Sequence, residues 1–268
     1  MTAYWNHFAF EFKSGLRNSS QLLMNYLFPL GFYAMMGLVM TQINPFFKEA
    51  IVPAMVVFCA MTATILGLPG PLVEAREAGV YRSFRINGVP AFAILAMPAF
   101  SAIFHVFIVT VIIAVTAPTF FGGASPIDWP AFAGVTVVTV FTCGAIGALI
   151  GVIAKDARST VLWSQLIFLP SMLLGGLMMP LSALPASIAR VAGILPPAHA
   201  MQAYVGLAFR QATVFDPARS LAILATSGLI AFGLAVFLFN WDSHNNARRG
   251  HPLMALLVLL PYVAGILL

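Results

Sequence analysis

Six apolar stretches, roughly 22–43, 51–71, 89–118, 131–154, 160–181 and 220–241, fill most of this chain, and each is long enough to cross a bilayer. A hydrocarbon core about 30 Å thick takes about 20 helical residues to span. In lipid every backbone amide and carbonyl must find a partner inside the protein, which leaves helices or closed barrels. Continuous apolar runs, lacking the in–out alternation of barrel strands, select helices. The reading is an all-α integral membrane protein: one transmembrane domain over 1–268, with a short interfacial segment at 1–20, six spans within 22–241 and an extra apolar segment at 252–268.

Composition agrees. Charged residues make up 8% and hydrophobic residues 61% of the chain, where a soluble domain carries about 25% charged residues. The net charge of +5 does not point to nucleic acid, because the basic residues are scattered among loops and form no stripe. Their distribution speaks instead to orientation. With the N-terminus inside, the inner segments hold Lys13, Arg17, Arg76, Arg82, Arg85, Lys155, Arg158, Arg248 and Arg249, and the outer ones hold Lys48, Arg190, Arg210 and Arg219. That imbalance favours a cytoplasmic N-terminus under the positive-inside rule. Cys59 and Cys143 fall within apolar spans without metal-ligand spacing and read as packing residues. Residues 1–20 mix Glu11, Lys13 and Arg17 with aromatics, so no cleavable leader is expected.

Along the chain, Tyr4, Trp5, Phe8, Phe12 and Leu16 recur at helical spacing and predict an amphipathic helix at the interface over 4–18. Gly67, Pro69, Gly70 and Pro71 form a breaker cluster expected to end the second span. Glu74, Arg76, Glu77, Arg82 and Arg85 follow within a dozen residues. Gly147 and Gly151 form a G-x-x-x-G pair that permits close helix approach. The short loop at 155–158 makes spans four and five antiparallel neighbours. In 175–212, Gly175, Gly176, Pro180, Pro185, Pro196 and Pro197 divide an apolar stretch into pieces of about ten residues, too short to cross. These predict short helices that enter the outer leaflet, return, and pack on the bundle, with Ile188, Val191 and Leu195 on one face. The 252–268 segment, interrupted by Pro261, is barely a crossing. It admits either a seventh span with the C-terminus outside or an interfacial hairpin with the C-terminus inside.

Two of these segments carry a resemblance. VEAREAGVYRSFRINGVPAF (73–92) resembles the E-[RK]-E-x-G-[TV] stretch between spans two and three of type-2 ABC transporter permeases, with Ala75 as an added residue. The 169–203 segment, with Gly176, Pro180, Leu184-Pro185 and Pro196-Pro197, is similar to that family's segment between spans five and six. Together with the six-span layout the resemblance covers about 4–241, and the 242–268 tail departs from it. It implies a permease subunit of a dimeric exporter in the bacterial cytoplasmic membrane, of the kind that serves efflux and drug resistance. Its second permease would be the same or a sister chain. Two cytoplasmic ABC ATPase subunits would carry the ATP and Mg, and this chain would hold no cofactor. Glu74, Arg76, Glu77, Gly79, Arg82 and Arg85 would form the element that docks into the ATPase. The N-terminal helix would also meet the ATPase, and the outer pieces would cover the exit path.

The residues themselves support the division of labour. No G-x-x-x-x-G-K-[ST], H-E-x-x-H or G-x-S-x-G occurs, so neither nucleotide hydrolysis nor hydrolase chemistry is expected here. His105 lies deep in a span, where an ionisable group serves either function or hydrogen-bonded packing. All eight acids map to loops or span ends, which disfavours the ion-coupled carrier that is the main alternative. A membrane assembly or immunity-type partner with no cargo is the other. For an exporter of hydrophobic or amphiphilic compounds, Gln21, Asn25, Ser164 and Gln165 are candidate polar contacts. Phe28, Phe32, Met35 and Met172 are candidate adaptable lining on spans one and five.

Overall fold

The computed structural model describes residues 19–44, 47–242 and 250–267. The amphipathic helix expected at 4–18 lies outside the described residues. Helices come in the order α1 (Leu23–Ile43), α2 (Phe47–Glu77), α3 (Val80–Ile86), α4 (Ala91–Phe121), α5 (Trp129–Ile153), α6 (Ala157–Leu174), α7 (Ala186–Ala192), α8 (Pro196–Ala203), α9 (Pro217–Leu238) and α10 (Pro252–Leu267). No strand occurs among the described residues. Five helices, α1, α2, α4, α5 and α9, are long and apolar enough to cross a membrane.

The centre of the bundle is α2 against α5. From Ile51 to Ile65 every residue of α2 is buried, as expected of a helix that is hydrophobic all round. Gly147 and Gly151 of α5 admit it: a Cβ at Gly147 would sit 2.3 Å from the Thr64 carbonyl oxygen, and one at Gly151 would sit 2.9 Å from Leu72 Cδ1. The glycine pair therefore serves packing within the chain. On its other side α5 meets α9, where Thr142 Oγ1 donates to the Leu224 carbonyl at 2.9 Å across from Gly228. Other buried threonines bond to their own helix, among them Thr64 on the Ala60 carbonyl (2.6 Å) and Thr136 on the Phe132 carbonyl (2.7 Å). His105 of α4 is buried, and its Nδ1 lies 2.5 Å from the Tyr26 hydroxyl of α1. That contact joins two helices.

Three expected boundaries move. The Gly67–Pro71 cluster does not end span two; after a π-helical turn at Thr62–Leu66 the helix restarts at Pro69 and runs to Glu77. Pro69 and Pro71 fall in the first turn of the restart, where no amide hydrogen is required. Span five, expected to reach 181, ends as α6 at Leu174, because Gly176 turns the chain into the left-handed region with φ +87°. At 18 residues α6 is about 27 Å long. Span six, expected to reach 241, ends at Leu238.

The connection into α6 is short, as expected, and closes with a capping box. Asp156 Oδ1 accepts the Ser159 amide at 2.7 Å, and Ser159 Oγ accepts the Asp156 amide at 3.1 Å. That backbone bond first, and the Ser159 hydroxyl second, hold the Asp156 carboxyl below its ordinary pKa. A depressed carboxylate contributes stability above its unfolded pKa, and the contribution is lost as pH falls through the folded value. Asp156→Ala should therefore lower the melting temperature of the detergent-solubilised chain at pH 6, and the gap to the wild type should shrink towards pH 3.

The C-terminal segment does not form a hairpin. α10 runs antiparallel along α9: Gly250 lies against Leu238, Ser227 Oγ donates to the Val258 carbonyl at 3.2 Å, and Arg219 Nη2 donates to the Gly265 carbonyl at 3.2 Å. Its first half, Pro252–Leu259, is a 3₁₀ helix and its second, Leu260–Leu267, an α-helix. The greater rise of the 3₁₀ turn stretches the segment to about 28 Å.

Candidate functional site

At one end of the bundle the chain between α2 and α4 makes a braced double turn. Glu74, Arg76 and Glu77 occupy the last turn of α2, Gly79 reverses the chain with φ +73°, and α3 follows directly. The turn needs glycine, because an L side chain is strained at that φ. Gly88, also at φ +73°, releases the chain into α4.

Arg76 faces inward, contrary to its expected place on a docking surface. Its side chain is buried and reaches the end of α5, where Nη1 donates to the carbonyls of Gly151 (3.3 Å) and Val152 (3.1 Å) and Nη2 to those of Ala154 (2.5 Å) and Lys155 (3.3 Å). The last carbonyls of a helix lack intrahelical partners and carry the negative end of its dipole. A planar guanidinium can serve several of them at once. Arg76 therefore fastens α2 to the α5–α6 junction.

α3 is fastened from its other side. Tyr81 is buried against Phe239, with ring centroids 5.2 Å apart, and Arg82 Nη2 meets Asp242 Oδ1 at 2.6 Å. Glu74, Glu77, Arg85 and Ile86 remain exposed on the outer surface of this turn, Ile86 at 86%. The expected docking set thus splits in three: Arg76 and Arg82 brace, Gly79 turns, and Glu74, Glu77 and Arg85 stand exposed. A carboxylate pair beside an apolar tip, on a support tied to two membrane helices, can both recognise a partner and be pushed by it.

Residues 2–209 match the ABC-2 type transporter family. The chain belongs to that family. It is thus a multi-pass membrane permease component of an ABC transporter, a part that does not itself carry the catalytic activity, and membership implies association with an ABC ATPase. The match stops at Phe209, before α9 and α10. No curated protein and no solved structure matches the chain.

In this permease the expected cargo residues fall into two groups. Phe28 and Phe32 of α1 join Phe58 of α2 and, through it, Phe168 of α6: Phe32 stacks on Phe58 at 4.2 Å, Phe28 lies 5.7 Å and Phe168 5.9 Å from it. Met172 is half-buried one turn beyond Phe168, and Gln21 and Gln165 are half-buried too. Phe28 and Met35 are exposed. Asn25 and Ser164 instead point into the packed interior, at 7% and 3% exposure. An aromatic row therefore links α1, α2 and α6, and apolar side chains stand exposed on these helices, Leu38 on α1 and Leu162, Leu166, Leu169 and Leu173 on α6. Phe58, the hub, was not singled out in the sequence; in a helix apolar on every side no periodicity marks it.

At the opposite end of the bundle, the glycines and prolines of 175–197 shape a cap. A Cβ at Gly175 would meet the Ser171 carbonyl oxygen at 2.3 Å and Pro197 Cβ at 2.9 Å, so the chain turns hard against α8. Pro180 and Pro185 precede the short helices Leu181–Ala183 and α7, and Pro196 and Pro197 form the first turn of α8. α8 is buried throughout. The α7 face behaves differently from expectation: Ile188 and Val191 point away from the bundle, and Ala189 and Ala192 pack. Beneath the cap a cavity of about 790 Å³ opens between Glu49, Ala50, Gly176, Pro180, Met201 and Gln202. Gln202 Oε1 closes its rim by accepting the Val214 amide at 2.6 Å and that of Phe215 at 3.2 Å.

Proposed function

We propose that this permease is the membrane half of an ATP-driven exporter in a bacterial cytoplasmic membrane, with the Arg76 end in the cytoplasm. In this reading α1, α2, α4, α5, α6 and α9 are the six spans and α10 is a seventh. The observation that carries it is the braced turn at 74–86, exposed at its tip and tied at its base to α5 and α9. Two ATPase subunits, loaded with ATP and Mg, would dock on Glu74, Glu77, Arg85 and Ile86. Movement of the turn would pass through Arg76 to the α5–α6 junction and through Arg82 to the foot of α9.

A second permease, the same or a sister chain, would meet the exposed face of α1 and α6. A hydrophobic or amphiphilic compound, drug-like or lipid-linked, would pass along the aromatic row and leave through the cavity under the cap. Adaptable methionine and aromatic surfaces suit such cargo. The described acids, Glu49, Glu74, Glu77, Asp128, Asp156, Asp216 and Asp242, lie at helix ends or in the turns beside them. That arrangement favours nucleotide-driven export over ion coupling.

The test is co-purification with the cognate ATPase. Charge reversal in Glu74→Lys/Glu77→Lys should cut recovery of the complex about tenfold and abolish cargo-stimulated hydrolysis, with insertion and melting temperature unchanged. Wild-type recovery of the complex by the double variant would overturn this docking surface. Transport by the purified chain without any ATPase would overturn the whole reading.

A further inference from the structure

At the end of the bundle away from Arg76, α10 contributes Gly265 and Ile266 to the wall of a cavity. The cavity is about 360 Å³ and lies between α7, α8, the start of α9 and the end of α10. Arg190, His199, Asp216, Arg219, Ile223 and Ile266 are among its lining. α10 is drawn in tightly here: a Cβ at Gly265 would sit 2.5 Å from Ile223 Cδ1, and Tyr262 is buried with its ring centroid 5.5 Å from that of His199.

The charges in this cavity do not balance. Arg190 comes from α7, and Arg219 and Asp216 from the start of α9. The Asp216 carboxylate is committed to its own helix, where Oδ1 caps the Arg219 amide at 2.7 Å. Arg219 spends one donor on the Gly265 carbonyl and keeps the rest, and neither arginine forms an ion pair with any described residue. At the same end Arg210 does find a carboxylate, Asp128, at 3.3 Å. Burial lowers the His199 pKa and favours the neutral ring; its Nε2 donates to the Gly193 carbonyl at 2.8 Å, and in that neutral form its Nδ1 accepts from Ser220 Oγ at 3.2 Å. Two arginines from different elements thus line one cavity, together with Ile223 and Ile266.

We propose that this cavity holds the anionic headgroup of a phospholipid, its phosphate between Arg190 and Arg219 and the start of an acyl chain along Ile223 and Ile266. α10 spans about one hydrocarbon thickness, so its end at Gly265 lies where headgroups begin. Guanidinium forks match phosphate oxygens in pairs. The combination of forks and apolar wall selects an amphiphile, and the excess positive charge selects an anionic one over a zwitterion. The assignment is independent of which side of the membrane this end occupies and of the cargo.

The full chain, purified in neutral detergent, is titrated with phosphatidylglycerol, phosphatidylcholine or inorganic phosphate and read by native mass spectrometry and melting temperature. Phosphatidylglycerol should bind saturably at one preferred site and raise the melting temperature, with phosphatidylcholine at least about fivefold weaker. Arg190→Gln/Arg219→Gln should weaken phosphatidylglycerol about tenfold, and Arg158→Gln at the far end should not. Arg190→Gln alone, which removes no hydrogen bond among the described residues, should give about a threefold loss even where the double variant loosens α10. Equal phosphatidylglycerol affinity in the wild type and in Arg190→Gln would overturn the site. Equal retention of both lipids, or the same stabilisation by inorganic phosphate alone, would overturn the anionic-lipid assignment.

Discussion

Arg76→Met should melt well below the wild type, with a loss of about 2–3 kcal/mol, even though methionine keeps most of the buried stem. The loss comes from what remains behind. The carbonyls of Gly151, Val152, Ala154 and Lys155 now accept from one guanidinium, and at this junction α5 has ended without any glycine in a left-handed cap. With Arg76 gone, buried acceptors at the negative end of a helix lose their donors, and the desolvation they suffered on folding goes uncompensated. Lysine should restore little, because one ammonium cannot reach carbonyls spread over five residues in the way a planar fork does. The measurement is reversible unfolding in mixed micelles for Arg76→Met, Arg76→Lys and Arg85→Gln. Arg85 is exposed on the same turn, so its loss should leave the midpoint unchanged. If Arg76→Met unfolds with the wild type, the α2–α5 clasp is not a structural bond and the coupling path through it fails as well.

Arg76 also marks the limit of what could be read from the chain alone. Its neighbours Glu74 and Glu77 share its charge density, its spacing and its family motif, and nothing in a one-dimensional pattern says which member of such a run turns inward. The answer depends on where α5 ends, at Ile153. Five of the six expected spans were legible as long apolar helices because lipid demands long apolar runs, and the turn at Gly79 was legible because a charged run broken by glycine between two such runs has few other conformations. The Gly67–Pro71 cluster misled for a local reason: proline breaks a helix in its middle and starts one at its end, and a π-helical turn ahead of Pro69 converts the first case into the second. The 252–268 segment looked too short because its length was reckoned at the rise of an α-helix. The aromatic row was half legible. Phe28 and Phe32 were found from their place in span one, and Asn25 and Ser164 were grouped with them because a polar residue in an apolar helix draws the eye. Both instead face the packed interior, where a polar side chain meets helix neighbours.

Alanine at Gly147 should destabilise this permease by about 3 kcal/mol or more, a large effect for one added methyl group. The methyl would stand 2.3 Å from the Thr64 carbonyl oxygen and 3.0 Å from its carbon. These are backbone atoms within the π-helical turn of α2 and have no rotamer to change. Relief would require α2 to move away from α5 along a surface where both helices are buried, or the turn to unwind. Thr64 is held in that turn through its own hydroxyl on the Ala60 carbonyl, so the second route breaks hydrogen bonds that lipid cannot replace. The neighbouring glycines supply the controls. At Gly151 the nearest atom is Leu72 Cδ1 at 2.9 Å, the end of a flexible side chain, backed by Leu72 Cβ at 3.1 Å; a loss of about 1 kcal/mol is expected. At Gly144 the nearest atom is Thr64 Cγ2 at 3.8 Å, and at Gly134 nothing lies within 4 Å, so alanine there should be neutral or, through helix propensity, slightly stabilising. The four melting temperatures should therefore fall in the order Gly134→Ala, Gly144→Ala, Gly151→Ala, Gly147→Ala, highest first. A Gly147→Ala variant as stable as Gly134→Ala would mean that α2 and α5 do not cross at Thr64. Arg76 would then lose the geometry that brings it to the end of α5, since the same crossing sets the reach of both contacts.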